Sequence, residues 1–166
     1  ILEAFDTYTS KRIASSTGSG KPSREIIPVQ LEKAILSNID PFSAQLQSHY
    51  DNMLTIGREI VLTIKLWDNW ENDLETEFNG EELTDIIDDW MAKNTVSGRY
   101  NMTDATQNII RFEQVRIPMY DDKERAIDAR GFAKELRKFL KADPYLIESK
   151  LMTRGLGEAI IVLGEK

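Results

Sequence analysis

The residues best suited to chemistry lie in one acidic run. From Asp68 through Ala92 there are ten Asp or Glu and no Lys or Arg. Carboxylates at that density are oxygen ligands for hard cations, so divalent-metal binding is the first chemistry to weigh. Glu75, Glu77, Asn79 and Gly80 follow the first half of a calcium-binding loop. The position of its closing bidentate Glu, however, holds Ile86, and the loop opens on Glu where Asp belongs. Asp85, Asp88 and Asp89 have the close spacing of a magnesium-holding aspartate cluster, but the chain is short for the large helical cavity that such clusters face in pairs. On a helical wheel they occupy one arc opposite Trp90, as a solvated face does. We read Glu81, Glu82, Asp85, Asp88 and Asp89 as an acidic partner face and assign no metal and no cofactor.

A basic counterpart follows. Arg130, Lys134, Arg137, Lys138 and Lys141 fall on one arc of a helix, opposite Phe132, Leu136 and Phe139. Such a face can grip phosphates, because Lys and Arg contacts to the backbone dominate nucleic-acid affinity. The chain as a whole carries a net charge of −7, which repels a polyanion. The acidic and basic faces are complementary, and complementary charge steers partners and sets register while apolar burial supplies affinity.

Other chemistries are thinly supplied. There is no cysteine, which removes disulfides, thiolate metal sites and thiol nucleophiles. The single histidine, His49, has no identifiable nucleophile or orienting group beside it and reads as a packing residue. Gly18 to Lys21 spells Gly-Ser-Gly-Lys, but Ser15 stands where a phosphate loop needs its upstream Gly, and Pro22 follows the Lys. Of the tryptophans, Trp67 and Trp90 lie on apolar stripes and read as core, and Trp70, just off the stripe, as the exposed one. No run approaches the roughly 20 apolar residues that span a bilayer. The chain opens on Ile1, which reads as a trimmed or processed start, or as the ordered part of something longer.

These residues need elements to position them. From Pro41 to Phe78 a seam runs in steps of four and three through Leu46, Tyr50, Met53, Gly57, Ile60, Ile64, Trp67, Glu71, Leu74 and Phe78, and eight of the ten are large and apolar. That spacing predicts one long helix with a packing seam, interrupted at most near Gly57. Leu2–Ser15 is predicted as a short helix, and residues 16–23 as a flexible connector from their Gly, Ser and Pro content. Pro28 opens a helix with Leu31, Ile35 and Ile39 inside, and Asp40-Pro41 restarts the chain as cap and first turn. Asn79 and Glu82 have capping-box spacing for a helix over 80–93, with Leu83, Ile86, Ile87, Trp90 and Met91 inward. Residues 103–120 fit neither period. Asp121 and Glu124 suggest a second capping box, Asp143-Pro144 a last helix to Arg154, and residues 159–163 a strand paired with 112–117.

The sequence therefore predicts a mainly α protein, a helical bundle organised on one long helix over about 41–78, with a small two-stranded element near the C-terminus. Residues 1–27 form an arm and connector, and 28–166 a single helical domain. The function expected is that of a non-enzymatic interaction or structural protein, cytoplasmic, associating with copies of itself or with a larger assembly. A viral or phage assembly is among those considered, with the virion as its location. The alternative is a nucleic-acid-binding module using the 130–141 face, and a third reading is a divalent-metal enzyme on the acidic run. No membrane partner is expected.

Overall fold

Ile60, Leu62, Ile64 and Leu66 alternate with Val61, Thr63 and Lys65, and this period of two decides the architecture. In the computed structural model, which describes residues 1–18, 24 and 26–164, Arg58–Leu66 is a strand, β3. The long helix expected over 41–78 is therefore not formed. Helix α1 spans Ile27–Ile56 and stops at Gly57, whose φ of 84° is the left-handed C-terminal cap conformation. A side chain at Gly57 would lie 2.5 Å from the Ile117 carbonyl oxygen, so glycine is also required by space.

The chain divides into two compact units, Ile1–Thr55 and Ile56–Lys166. In the first, Leu2–Phe5 (β1) and Arg12–Ser16 (β2) form an antiparallel hairpin where a helix is expected. Its turn is built by Asp6, whose side chain accepts from the Tyr8 backbone N–H at 2.9 Å and the Thr9 hydroxyl at 3.0 Å. An Asp that satisfies the local backbone in this way competes with helix formation. Gln45 of α1 both donates to and accepts from the Ser15 backbone, at 3.0 Å each. The expected restart at Asp40-Pro41 is absent, and α1 runs through Pro41. Proline deprives the Ser37 carbonyl of its helical donor, a cost that falls on a solvent-exposed residue. The connector expected over 16–23 lies largely outside the described residues.

The second unit is an α+β layer pair, not a helical bundle. After β3 come β4 (Glu77–Phe78), β5 (Glu81–Glu82), α2 (Leu83–Asn94), β6 (Asn101–Thr106), β7 (Ile109–Ile117), α3 (Ala129–Lys141), β8 (Ser149–Arg154) and β9 (Glu158–Leu163). Five strands form one mixed sheet in the order β6-β7-β3-β9-β8, with β3 and β9 parallel and every other pair antiparallel. The expected two-stranded element is thus part of a larger sheet. Residues 159–163 do form a strand, but β3 lies between it and 112–117. The undecided segment 103–120 is largely two strands, β6 and β7.

Two expected helix starts also move, and the helix expected from Asp143-Pro144 to Arg154 does not form. Asn79 and Gly80, with φ of 57° and 85°, form the two-residue turn between β4 and β5, so α2 begins at Leu83. Asp121 and Glu124 lie in a loop, and α3 starts eight residues later, where Asp128 caps it by accepting from the Gly131 N–H at 2.7 Å. The stretch after Asp143-Pro144 turns directly into β8, an edge strand bonded to β9.

One sheet face carries the core. Ile60, Leu62, Ile64, Phe112, Ile161 and Leu163 pack with Ile87, Trp90 and Met91 of α2 and Phe132, Leu136 and Leu140 of α3. Trp90 and Phe132 lie with ring centroids 5.2 Å apart, so the two helices sit side by side on that face. On the other face Thr63 is buried beneath Arg111, which donates to its hydroxyl at 3.4 Å.

Candidate functional site

The inward side of α2 is the one its spacing predicts, and the acidic residues turn away from the core. Glu81 and Glu82 precede the helix on β5, and both are exposed, as are Asp85 and Asp89. Asp89 pairs with Lys93 at 2.9 Å. Asp88 is half-buried and accepts a 2.8 Å hydrogen bond from the Tyr100 hydroxyl. Burial, reinforced by that bond, pushes the Tyr100 pKa up to about 12. Among the described residues no group of three or more carboxylates and imidazoles is placed to hold a metal ion.

The basic arc is real as a surface but largely engaged by its own chain. Lys138 pairs with Glu135 at 2.7 Å and Lys141 with Glu148 at 3.0 Å. Arg137 donates to the carbonyl and the hydroxyl of Ser149, tying α3 to β8. Arg130 and Lys134 are the two cations of the arc with neither an ion pair nor a side-chain hydrogen bond among the described residues. Complementarity between copies thus has less free charge to draw on than the sequence suggests, because Glu148 and Ser149 come from elements that the helical wheel does not include.

Exposed apolar residues gather on α1. This 30-residue helix has no buried residue. Ile27, Leu31, Ile35 and Ile39 follow in steps of four, and Leu31 keeps 59% of its surface exposed. Leu36, Tyr50 and Leu54 add further exposed apolar area. Beside Leu31 and Ile35 a groove of about 170 Å³ opens between the hairpin and the helix. His49 lies half-buried on α1 with its ring against Tyr50, at a centroid distance of 6.0 Å.

The tryptophans exchange roles. Trp90 is core, but Trp67 is 43% exposed and Trp70 is the one held against the protein. The Trp67 backbone N–H donates to the Leu163 carbonyl at 2.9 Å, and the Trp70 N–H to the Trp67 carbonyl at 2.9 Å. The Trp70 ring lies over Gly164, where a side chain would meet its Cγ at 2.2 Å. Because β3 ends at Leu66, both residues belong to a loop and not to a helical seam, so a helical period cannot assign their exposure.

The second unit is therefore a two-layer α+β domain with a mixed five-stranded sheet and both helices on one face. Its residues 58–164 match the family described as domain of unknown function DUF6175, and the chain belongs to that family. No curated protein and no solved structure matches it. No helix among the described residues is long and apolar enough to cross a membrane.

Proposed function

We propose that the protein is a non-catalytic interaction module that associates with copies of itself through α1. The observation that carries this reading is a 30-residue helix with no buried residue and a row of exposed Ile and Leu along one side. Contiguous apolar surface of this kind marks association sites. A helix of that length is about 45 Å long, and steps of four place Ile27, Leu31, Ile35 and Ile39 on successive turns of it. A twofold pair would use the same residues from each copy.

Light scattering after size exclusion, across a dilution series, tests the reading. Wild type is expected to show a mass above one chain that falls on dilution. Leu31→Lys with Ile39→Lys is expected to give one chain at every concentration with unchanged strand and helix signal. Each side chain returned to water costs about 2 kcal/mol, and a twofold contact loses four of them. A wild type that stays at one chain throughout refutes the proposal. A mass that rises only with added duplex RNA or DNA, and falls with salt, would favour the nucleic-acid reading through Arg130 and Lys134 instead.

A further inference from the structure

The loop after β3 forms a cleft that α1 and the two helix faces do not involve. It lies at the C-terminal ends of the parallel strands β3 and β9, is open to solvent, and has a volume of about 520 Å³, within the size range of small-molecule sites. Trp67 and Trp70 line it together with Asp68, Glu71 and Asp73, and among the described residues no Lys, Arg or His does. We propose that this cleft binds a small organic cation, of the alkylammonium or quaternary ammonium class.

The carboxylates differ in what occupies them. Asp73 is structural: it accepts from the Thr76 hydroxyl at 2.8 Å and from the Glu75 N–H at 3.1 Å, which closes the loop on itself. Asp68 and Glu71 have no hydrogen bond or ion pair among the described residues, so their charge is available to a ligand. Beside them stands Trp67, which is 43% exposed although it directly follows a central strand. An exposed indole next to unpaired carboxylates is the chemistry that holds weakly hydrated cations, by attraction to the ring face and to the anionic rim together. The carboxylates do not converge into a metal cluster, and the indoles and Leu66 supply apolar surface that a hydrated metal ion cannot use. An organic cation uses both.

The cleft is also held ready. Its first wall is pinned to β9 by the Trp67 N–H and by Trp70 over Gly164. Its far end is pinned to the β6–β7 turn, where the Leu74 N–H donates to the Gln107 carbonyl at 3.0 Å. Little ordering remains to oppose binding.

The experiment is a tryptophan-fluorescence titration of the full chain with choline chloride, beside sodium chloride and the neutral isostere 3,3-dimethylbutan-1-ol. Trp90 is buried in the core and serves as a constant background. A saturable choline response is expected, with a Kd of about 1 mM or tighter, as a few well-placed contacts give. Neither sodium chloride nor the neutral isostere should reproduce it. Trp67→Ala should weaken binding about tenfold, and so should Asp68→Asn with Glu71→Gln, which leaves the shape intact. A melting curve for each variant establishes that it is folded, and the carboxylate pair carries the test should Trp67→Ala fail to fold. No saturable response, an equal response to the neutral isostere, or wild-type binding by the carboxylate variant would each overturn the proposal.

Discussion

Gly164 offers a measurement that isolates one contact from the backbone strain that usually hides it. Gly80, Gly155 and Gly164 all have positive φ, at 85°, 59° and 80°. An alanine at any of them pays for a left-handed backbone, about 1–2 kcal/mol. At Gly80 and Gly155 that is the whole cost, since nothing lies within 4 Å of the added carbon. At Gly164 the added carbon would stand 2.2 Å from Trp70 Cγ and 2.6 Å from its Cβ, the root of the side chain, which no rotation of a distant tip can clear. The indole must leave its seat. Removing a fully buried aromatic costs about 3–5 kcal/mol, so a half-buried one should cost about 2. Gly164→Ala is then expected to destabilise by about 3–4 kcal/mol and Gly155→Ala by 1–2. Urea unfolding followed by circular dichroism reads the difference, and a double-mutant cycle with Trp70→Ala should show a coupling of about 2 kcal/mol. If Gly164→Ala costs no more than Gly155→Ala, or the cycle shows no coupling, the seating of Trp70 on Gly164 is wrong and the cleft wall with it.

Two further perturbations address the helices. Tyr100 ionises in the folded chain at about pH 12, against an ordinary value of 10.0, because burial first and the bond to Asp88 second oppose the phenolate. The unfolded chain therefore gives up this proton first. The stability linked to it is complete below about pH 10 and is lost as the pH rises towards 12. Absorbance titration at alkaline pH should show a late phenolate that Tyr100→Phe removes. Asp128→Ala deletes the cap on the Gly131 N–H and should cost about 1 kcal/mol, most of which Asp128→Asn restores, read as shifts in the urea midpoint.

Where one period dominated, residue spacing was enough. The inward side of α2 is legible because Leu83, Ile86, Ile87, Trp90 and Met91 obey 3.6 and nothing else, and the alternation of polar and apolar residues on α3 is equally plain. Residues 57–67 mislead because a step of four is even. Ile60 and Ile64 therefore sit on one side of a helix and also on one face of a strand, and only the intervening Leu62 separates the two. Asn79-Gly80 reads as a helix cap or as a hairpin turn with the same letters, and the short strands beside it carry too few apolar residues to decide. The seat of Trp70 depends on Gly164, almost a hundred residues away, and the pairing of Lys141 with Glu148 depends on a turn. Neither contact has a periodic signature. The exposed row on α1 was legible as an apolar stripe, but whether its own chain covers it is a property of the fold.

The place of β9 in the sheet has a consequence for synthesis. Residues 158–163 sit between β3 and β8, so the central strand from residue 58 gains its parallel neighbour only after about a hundred further residues have been made. At roughly 5–20 residues per second, the ribosome leaves the apolar edge of β3 waiting for several seconds. Over that interval β7 can pair with β3, and α2 can cover part of the growing face, yet the side that receives Ile161 and Leu163 stays open. Nascent chains on neighbouring ribosomes would present the same unfilled edge to one another. The late closure leaves open, during synthesis, a strand edge that the finished fold covers.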